Sequence, residues 1–119
     1  MIATQAPDLD HVFEALANMH RREIIYVLSL GPASISKLAF LRHLSLPAIH
    51  KHIEVLEKGG MVLRRKIGQT NFLALNRKSL RGLQDWITRF QPYAGDDEAT
   101  LENYAQSMSR ELIKIKETK

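Results

Sequence analysis

Residues 44–76 read LSLPAIHKHIEVLEKGGMVLRRKIGQTNFLALN, a helix signal followed by two strand signals. Ser45 stands before Leu46 and Pro47, an order typical of a helix N-terminus, because serine caps the first turn and proline is tolerated within it. Apolar residues at positions 49, 53 and 56 then share one helix face, which we expect to pack into a core. Gly59 follows, and we expect it to end the helix in a left-handed cap.

The same helix has an outward side that differs in chemistry. On a wheel of 3.6 residues per turn, Pro47, His50, Lys51 and Glu54 lie opposite the apolar face. The residues that lead this side are short or compact, so the backbone can approach base edges in a major groove. The helix N-terminus also offers N–H groups to a phosphate.

From position 62 the pattern changes to two runs, 62–67 and 70–75, which predict a β-hairpin joined at Gly68-Gln69. Basic residues lie on its first strand and polar residues at its tip. Such a hairpin can run along the sugar-phosphate backbone of DNA or enter its minor groove.

Another short helix comes before the one that begins at Ser45. It runs from a Ser34 cap through Leu41, and a four-residue turn, 42–45, joins the two helices. Two short helices followed by a basic hairpin form a winged helix-turn-helix pattern. We therefore predict a mainly helical fold with a small β-hairpin wing, in the order α-α-α-α-β-β-α, and an additional C-terminal helix.

The flanking segments supply the remaining helices. Asp8 can cap a first helix, and a second runs from about His20 to Gly31-Pro32. Asn76 can cap a fifth helix, and a sixth begins at about Asp97. We predict a DNA-binding and dimerisation domain over residues 1–91, with residues 92–119 forming a C-terminal helix at the dimer surface.

Composition limits the function. The 119 residues carry a net charge of +4, and residues 61–91 hold seven Lys/Arg against one acid, so the basic charge is local and favours an anionic partner. There is no cysteine, Gly-rich phosphate loop or acid pair near a histidine at informative spacing, which argues against an enzyme. No apolar run has the length of a membrane span and residues 1–10 lack signal-peptide features, so we expect a cytosolic protein without membrane contact.

The run VFEALANMHRREIIYVLSLGPASISKLA, residues 12–39, together with residues 44–76, resembles the ArsR-type family of bacterial winged helix-turn-helix repressors. The similarity extends over about residues 9–76, and it is greatest to the metal-independent, autorepressor-like (SdpR-like) branch. The resemblance implies a homodimer that represses by binding a palindromic double-stranded operator, with one recognition helix per half-site.

Pattern and resemblance together predict a set of DNA contacts on the two short helices and the wing. These residues are Ser36, Lys37, Ser45, Leu46, Pro47, Ala48, His50, Lys51, Arg64, Arg65, Lys66, Gln69 and Thr70.

Three apolar helix faces predict a dimer interface, because they exceed what one small core is expected to absorb. The alternative is that all three pack within one chain. The residues of the predicted interface are Leu9, Val12, Phe13, Leu16, Leu83, Trp86, Ile87, Phe90, Leu101, Tyr104 and Met108.

We predict no metal and no cofactor. Ser34 and Ser36 occupy the positions of the paired cysteines in metal-sensing relatives, and residues 77–119 contain no histidine. His50 and His52 point apart on a helix, and we expect His52 to contact neighbouring backbone.

The sequence leaves the effector unknown. A second function stays open as well, that of a winged-helix adaptor or anti-repressor which binds protein and not DNA.

Overall fold

The computed structural model describes residues 8–90 and 97–117. Its elements follow the predicted order, with one additional short strand, and they are α1 Leu9–Leu16, α2 Met19–Leu30, β1 Ala33–Ser34, α3 Ile35–Arg42, α4 Leu46–Lys58, β2 Val62–Ile67, β3 Thr70–Leu75, α5 Arg77–Thr88 and α6 Asp97–Glu117. The predicted fold, a mainly helical winged helix-turn-helix, is confirmed.

Side-chain caps explain where the helices begin. The Asp8 carboxylate accepts from the backbone N–H of Asp10 at 3.0 Å, and the Ser34 and Ser45 hydroxyls accept from the third residues of α3 and α4 at 3.1 and 3.3 Å. Asn18 caps α2, which the sequence analysis did not anticipate, by accepting from the backbone of His20 at 2.9 Å. Each such cap stabilises its helix by about 0.5–2 kcal/mol.

The end of α4 differs from the prediction. Gly59 has φ −75°, whereas Gly60 has φ +67° and is the left-handed residue of this turn. Gly59 is required for a different reason, because a Cβ there would lie 2.9 Å from the Ala15 Cβ and 3.0 Å from the His11 carbonyl oxygen. The prediction of a left-handed cap at Gly59 is therefore wrong. Because Gly59 has no side chain, α1 can approach α4 closely.

The sheet has three antiparallel strands in the order β1-β3-β2. Both strands of the hairpin have the predicted bounds, and their register pairs Val62 with Leu75 and Ile67 with Thr70 around a left-handed Gly68. Strand β1 was not predicted, since two residues after Gly31-Pro32 are too few to show alternation. It ties the start of α3 to the wing by pairing Ser34 with Phe72.

The core lies between α1–α4 and the root of the wing, and it takes in the predicted inward face of α4. Val12 belongs to this core, with 1% of its surface exposed, so the prediction that it faces a partner is wrong. Its side chain is already buried by packing within one chain.

The chain divides into two compact units, residues 1–87 and 88–119. The first contains the helix-turn-helix and the wing, and α6 lies in the second. The predicted division at 91/92 stays a prediction, although the observed one falls four residues earlier, near the end of α5.

Candidate nucleic-acid interface

The recognition helix α4 presents the two faces that its sequence predicts. Ile49, Ile53 and Leu56 are fully buried. On the opposite side Pro47 and Lys51 are exposed. Because burial fixes one face, the other can enter a groove of DNA without disturbing the core.

The chain turns sharply into this helix. His43 adopts a left-handed conformation with φ 55°, and its backbone N–H donates to Phe40 O at 3.2 Å. The Leu44 N–H then donates to Ala39 O at 2.9 Å. Three residues, 43–45, therefore separate α3 from α4, one fewer than expected.

An open groove of about 200 Å³ brings together the start of α3, the first turns of α4 and the wing tip. Five of the predicted DNA-contact residues meet there with Ile35 and Asn71, and they are Ser36, Leu46, His50, Gln69 and Thr70. The recognition helix and the wing thus form one continuous surface.

Lys37 does not join this groove. It lines a different hollow, with Val27, Leu30 and Leu41. Its backbone N–H donates to the Ser34 hydroxyl, and the residue is exposed on α3. Of the predicted contacts on α3, the groove therefore contains Ser36 alone.

The first turn of α4 has less capacity for a phosphate than the sequence suggests. Pro47 has no N–H, and the N–H of Ala48 donates to the Ser45 hydroxyl. The N–H of Ile49 donates to the backbone oxygen of Ser45 at 2.9 Å. The N–H groups of Ala48 and Ile49 are therefore already engaged within the chain.

The wing presents two faces of different character. Lys66 pairs with Asn71 across the strands, so it lies on the side of the wing that meets the groove. Arg65 pairs with Phe72 and lies on the other side, in an apolar hollow of about 320 Å³ that Leu63 and Ile67 also line. The three consecutive basic residues are thus divided between the faces.

Arg64 is engaged within the chain. Its Nη2 lies 2.8 Å from Glu57 Oε1, and each of these side chains is about one-third exposed, at 32% and 36%. An exposed ion pair of this kind contributes about 0–1 kcal/mol. Arg64 can therefore exchange this carboxylate for a phosphate at little cost.

Sequence reasoning placed His52 incorrectly. Its ring contacts the side chains of Arg21 and His20 on α2, and not the neighbouring backbone. The signal in the sequence was weak, since residues separated by 31 positions give no local pattern.

The predicted dimer residues of α1 and α5 form one surface. Phe13 and Trp86 pack edge to face with their ring centroids 5.2 Å apart, and both remain more than one-third exposed. Ile87 is 44% exposed. Leu16 and Leu83 are half-buried beside the core, and Leu9 is half-buried as well.

The remaining predicted dimer residues belong to the second unit. Phe90 is exposed, and on α6 the side chains of Leu101, Tyr104 and Met108 are 67%, 63% and 45% exposed. They lie on one side of that helix by their spacing.

Within residues 8–90 and 97–117, no three His, Asp or Glu side chains are grouped so that they could hold a metal ion. None of the helices in these ranges is long and apolar enough to cross a membrane.

Comparisons with known proteins show the family of this chain. The family described as "Bacterial regulatory protein, arsR family" matches residues 18–63. The HTH-type transcriptional regulator Rv2034 of Mycobacterium tuberculosis is 31% identical over 102 residues, which cover 86% of this chain and 90% of that protein. The chain belongs to the ArsR family. It is a DNA-binding transcriptional regulator of the winged helix-turn-helix type.

Another ArsR-type relative confirms the predicted resemblance. The transcriptional repressor SdpR of Bacillus subtilis is 26% identical over 82 residues, 69% of this chain and 91% of the relative.

Two solved structures share the fold. A crystal structure of an ArsR family transcriptional regulator has a TM-score of 0.66 and 33% identity, covering 71% of this chain and 88% of its own. A solution structure from Mycobacterium bovis, described as a homodimeric winged helix-turn-helix DNA-binding domain, has a TM-score of 0.59 and 22% identity and covers 70% and 80%.

Proposed function

We propose that this ArsR-family protein is a homodimeric cytoplasmic repressor, without catalytic activity, that blocks a promoter by binding a palindromic operator. The observation that carries the proposal is the groove in which α3, α4 and the wing tip converge. DNA that contacts this groove would engage the recognition helix and the wing tip at once.

On α4, His50 and Lys51 are the side chains proposed to read bases. His50 lines the groove and Lys51 is exposed one residue further along the helix. Ser36, Ser45, Leu46, Pro47 and Ala48 surround them and set how closely the helix approaches the bases. Lysine donates well to guanine in the major groove, and a neutral or charged imidazole can donate there as well.

On the wing, Lys66, Gln69 and Thr70 are proposed to contact the phosphate backbone from the groove side. Arg65 has a weaker claim, because it lies on the opposite face. Arg64 is also proposed to contact a phosphate, by exchanging its weak ion pair with Glu57 for that contact. Phosphate contacts of this kind position the protein but carry little sequence information.

Dimerisation is proposed to use the exposed apolar surface around Phe13, Trp86 and Ile87. One recognition helix reads few base pairs, and two-fold pairing doubles the contacts and produces a palindromic site. A relative of the same fold is described as homodimeric, which supports this assembly. The side chains of α6 are proposed to extend the interface.

The test is a gel shift with DNA from upstream of the protein's own gene, at two salt concentrations and with excess nonspecific competitor. Binding through several phosphates weakens steeply with salt, by a slope of about −0.9 per phosphate neutralised. A specific complex with this dependence supports the proposal. Failure to bind any duplex at low salt contradicts it.

A second function, that of a protein-binding adaptor, is favoured by one observation. The outer face of the wing exposes Leu63 and Ile67 around an apolar hollow. An adaptor that binds protein and not DNA would give no complex in the same gel shift, so that experiment separates the two functions.

A further inference from the structure

Behind the recognition helix, three helices bring together two histidines and two arginines. The rings of His20 on α2 and His52 on α4 lie with centroids 5.5 Å apart and planes tilted by 39°. Arg42, the last residue of α3, donates from Nε to His20 Nδ1 at 3.2 Å. Arg21 on α2 places Nη1 3.4 Å from His52 Nδ1.

Arg21 also secures the end of α1. Its Nε donates to Ala15 O at 2.7 Å and its Nη2 to Glu14 O at 3.0 Å. These carbonyls lie in the last turn of α1, where a helix offers few internal donors. One guanidinium therefore connects α1 and α2 to His52 on the recognition helix.

The arrangement requires neutral rings. Arginine has only donors, so each ring must offer an unprotonated Nδ1 and carry its proton on Nε2. A protonated imidazole has no acceptor and would bring a positive charge beside a guanidinium. Within residues 8–90, the contacts of these four side chains include no carboxylate that could compensate.

We infer that the His20–His52 pair, held by Arg42 and Arg21, positions the recognition helix and makes operator binding sensitive to pH. A neutral His52 ring accepts from Arg21 and holds α4 in place against α2, and a protonated ring, which cannot accept, weakens that contact. The inference rests on the proposed function, because it concerns the helix that would read the operator.

The direction of the effect follows from the chemistry of His52. Burial, then the charge of Arg21, then that of His20, lower the pKa of His52 below its ordinary value of 6.5. A histidine whose pKa is lowered by folding stabilises the fold fully above that ordinary value. The stabilisation is lost as the pH falls from 6.5 toward the lower folded pKa, by up to about tenfold in the folding equilibrium per pH unit.

The test compares operator affinity at pH 7.5 and pH 5.5 for the native chain and the double variant His20→Asn, His52→Asn. The Asn oxygen can accept the same arginine hydrogen bonds but does not titrate. His50 is present in both proteins, so protonation of His50 at the DNA surface cancels from their ratio. His11→Asn, which removes an exposed histidine paired with Asp8, is the matched control.

At pH 7.5 we expect the three proteins to bind alike. At pH 5.5 the native chain and the control should bind about threefold to tenfold more weakly than the double variant, the change expected for one lost hydrogen bond. Equal pH profiles for the native chain and the double variant would overturn the inference.

If the double variant does not fold, a second measurement, made on the native chain alone, tests the inference. In an NMR titration, we expect the His52 ring to titrate below the ordinary imidazole pKa of 6.5, with the α4 backbone amides shifting at the same midpoint. Amides of α4 that do not follow His52 would overturn the inference. Absence of DNA binding at either pH would contradict the proposed function instead, while the titration still decides the role of the ring pair.

Discussion

The rings of Phe13 on α1 and Trp86 on α5 pack edge to face, 5.2 Å apart at 79°, and hold two distant segments in one apolar surface. Phe13 remains 40% exposed and Trp86 36% exposed. Two aromatic side chains that pack together and still face outward are typical of a surface that becomes buried on association.

The first prediction concerns this surface. Phe13→Asp places a charge in the proposed interface, and the desolvation of that charge should shift the protein from dimer to monomer at micromolar concentration. Sedimentation velocity measures the change. Phe40→Asp is the matched control, because Phe40 is 77% exposed on α3, away from the proposed interface. If both variants sediment as dimers, α1 is not at the interface.

The second prediction separates the two faces of the wing. Lys66→Ala should reduce the salt slope of operator binding by about one unit per subunit, hence by about two in a dimer, since it removes a phosphate contact. Arg65→Ala removes an equal charge from the preceding residue and should change the salt slope less than Lys66→Ala does. A larger effect of Arg65 would show that the outer face of the wing meets the DNA.

The third prediction tests the contact between α1 and α4. Gly59→Ala should destabilise the fold by about 1–3 kcal/mol, because its Cβ would lie 2.9 Å from the Ala15 Cβ. Gly82→Ala in α5 is the control, since its Cβ would meet nothing within 4 Å. That control should leave stability unchanged or raise it by up to about 1 kcal/mol. Urea unfolding measures the free energy of unfolding of both variants. If Gly59→Ala were as stable as the native chain, the close approach of α1 to α4 would be contradicted.

Local chemistry made much of the fold predictable. Ser34 and Ser45 cap α3 and α4 as expected because capping uses residues three positions apart. The bounds of β2 and β3 followed from two runs on either side of Gly68-Gln69. The spacing of the apolar residues in α4 likewise distinguished its buried face from its exposed face.

Features that depend on distant residues could not be predicted in the same way. Strand β1 exists because Ala33 and Ser34 pair with β3, about forty residues later, and two residues carry no period. Val12 belongs to the apolar stripe of α1, but the periodicity of a stripe does not distinguish a core from an interface. The amphipathic pattern therefore predicted the apolar side of α1 and assigned one of its residues to the wrong environment.

The site shows the same division. The outward positions of Pro47 and Lys51 followed from the helical wheel, whereas the ion pair of Arg64 with Glu57 required the wing to fold back beside the end of α4. The contact of His52 with Arg21 likewise depends on how α2 packs on α4. Tertiary contacts, which a single sequence does not encode locally, decide which charged side chains remain open to DNA.

The central claim is that the outward side of α4 reads the operator, and Lys51→Ala tests it most directly. Lys58→Ala is the matched control, an exposed lysine at the C-terminal end of the same helix. Operator affinity should be measured by fluorescence anisotropy at fixed salt, with circular dichroism to verify the fold. We expect Lys51→Ala to weaken specific binding by about 1–3 kcal/mol per lost base contact and Lys58→Ala to leave it nearly unchanged. Native affinity in Lys51→Ala, and equally in His50→Ala, would contradict the account.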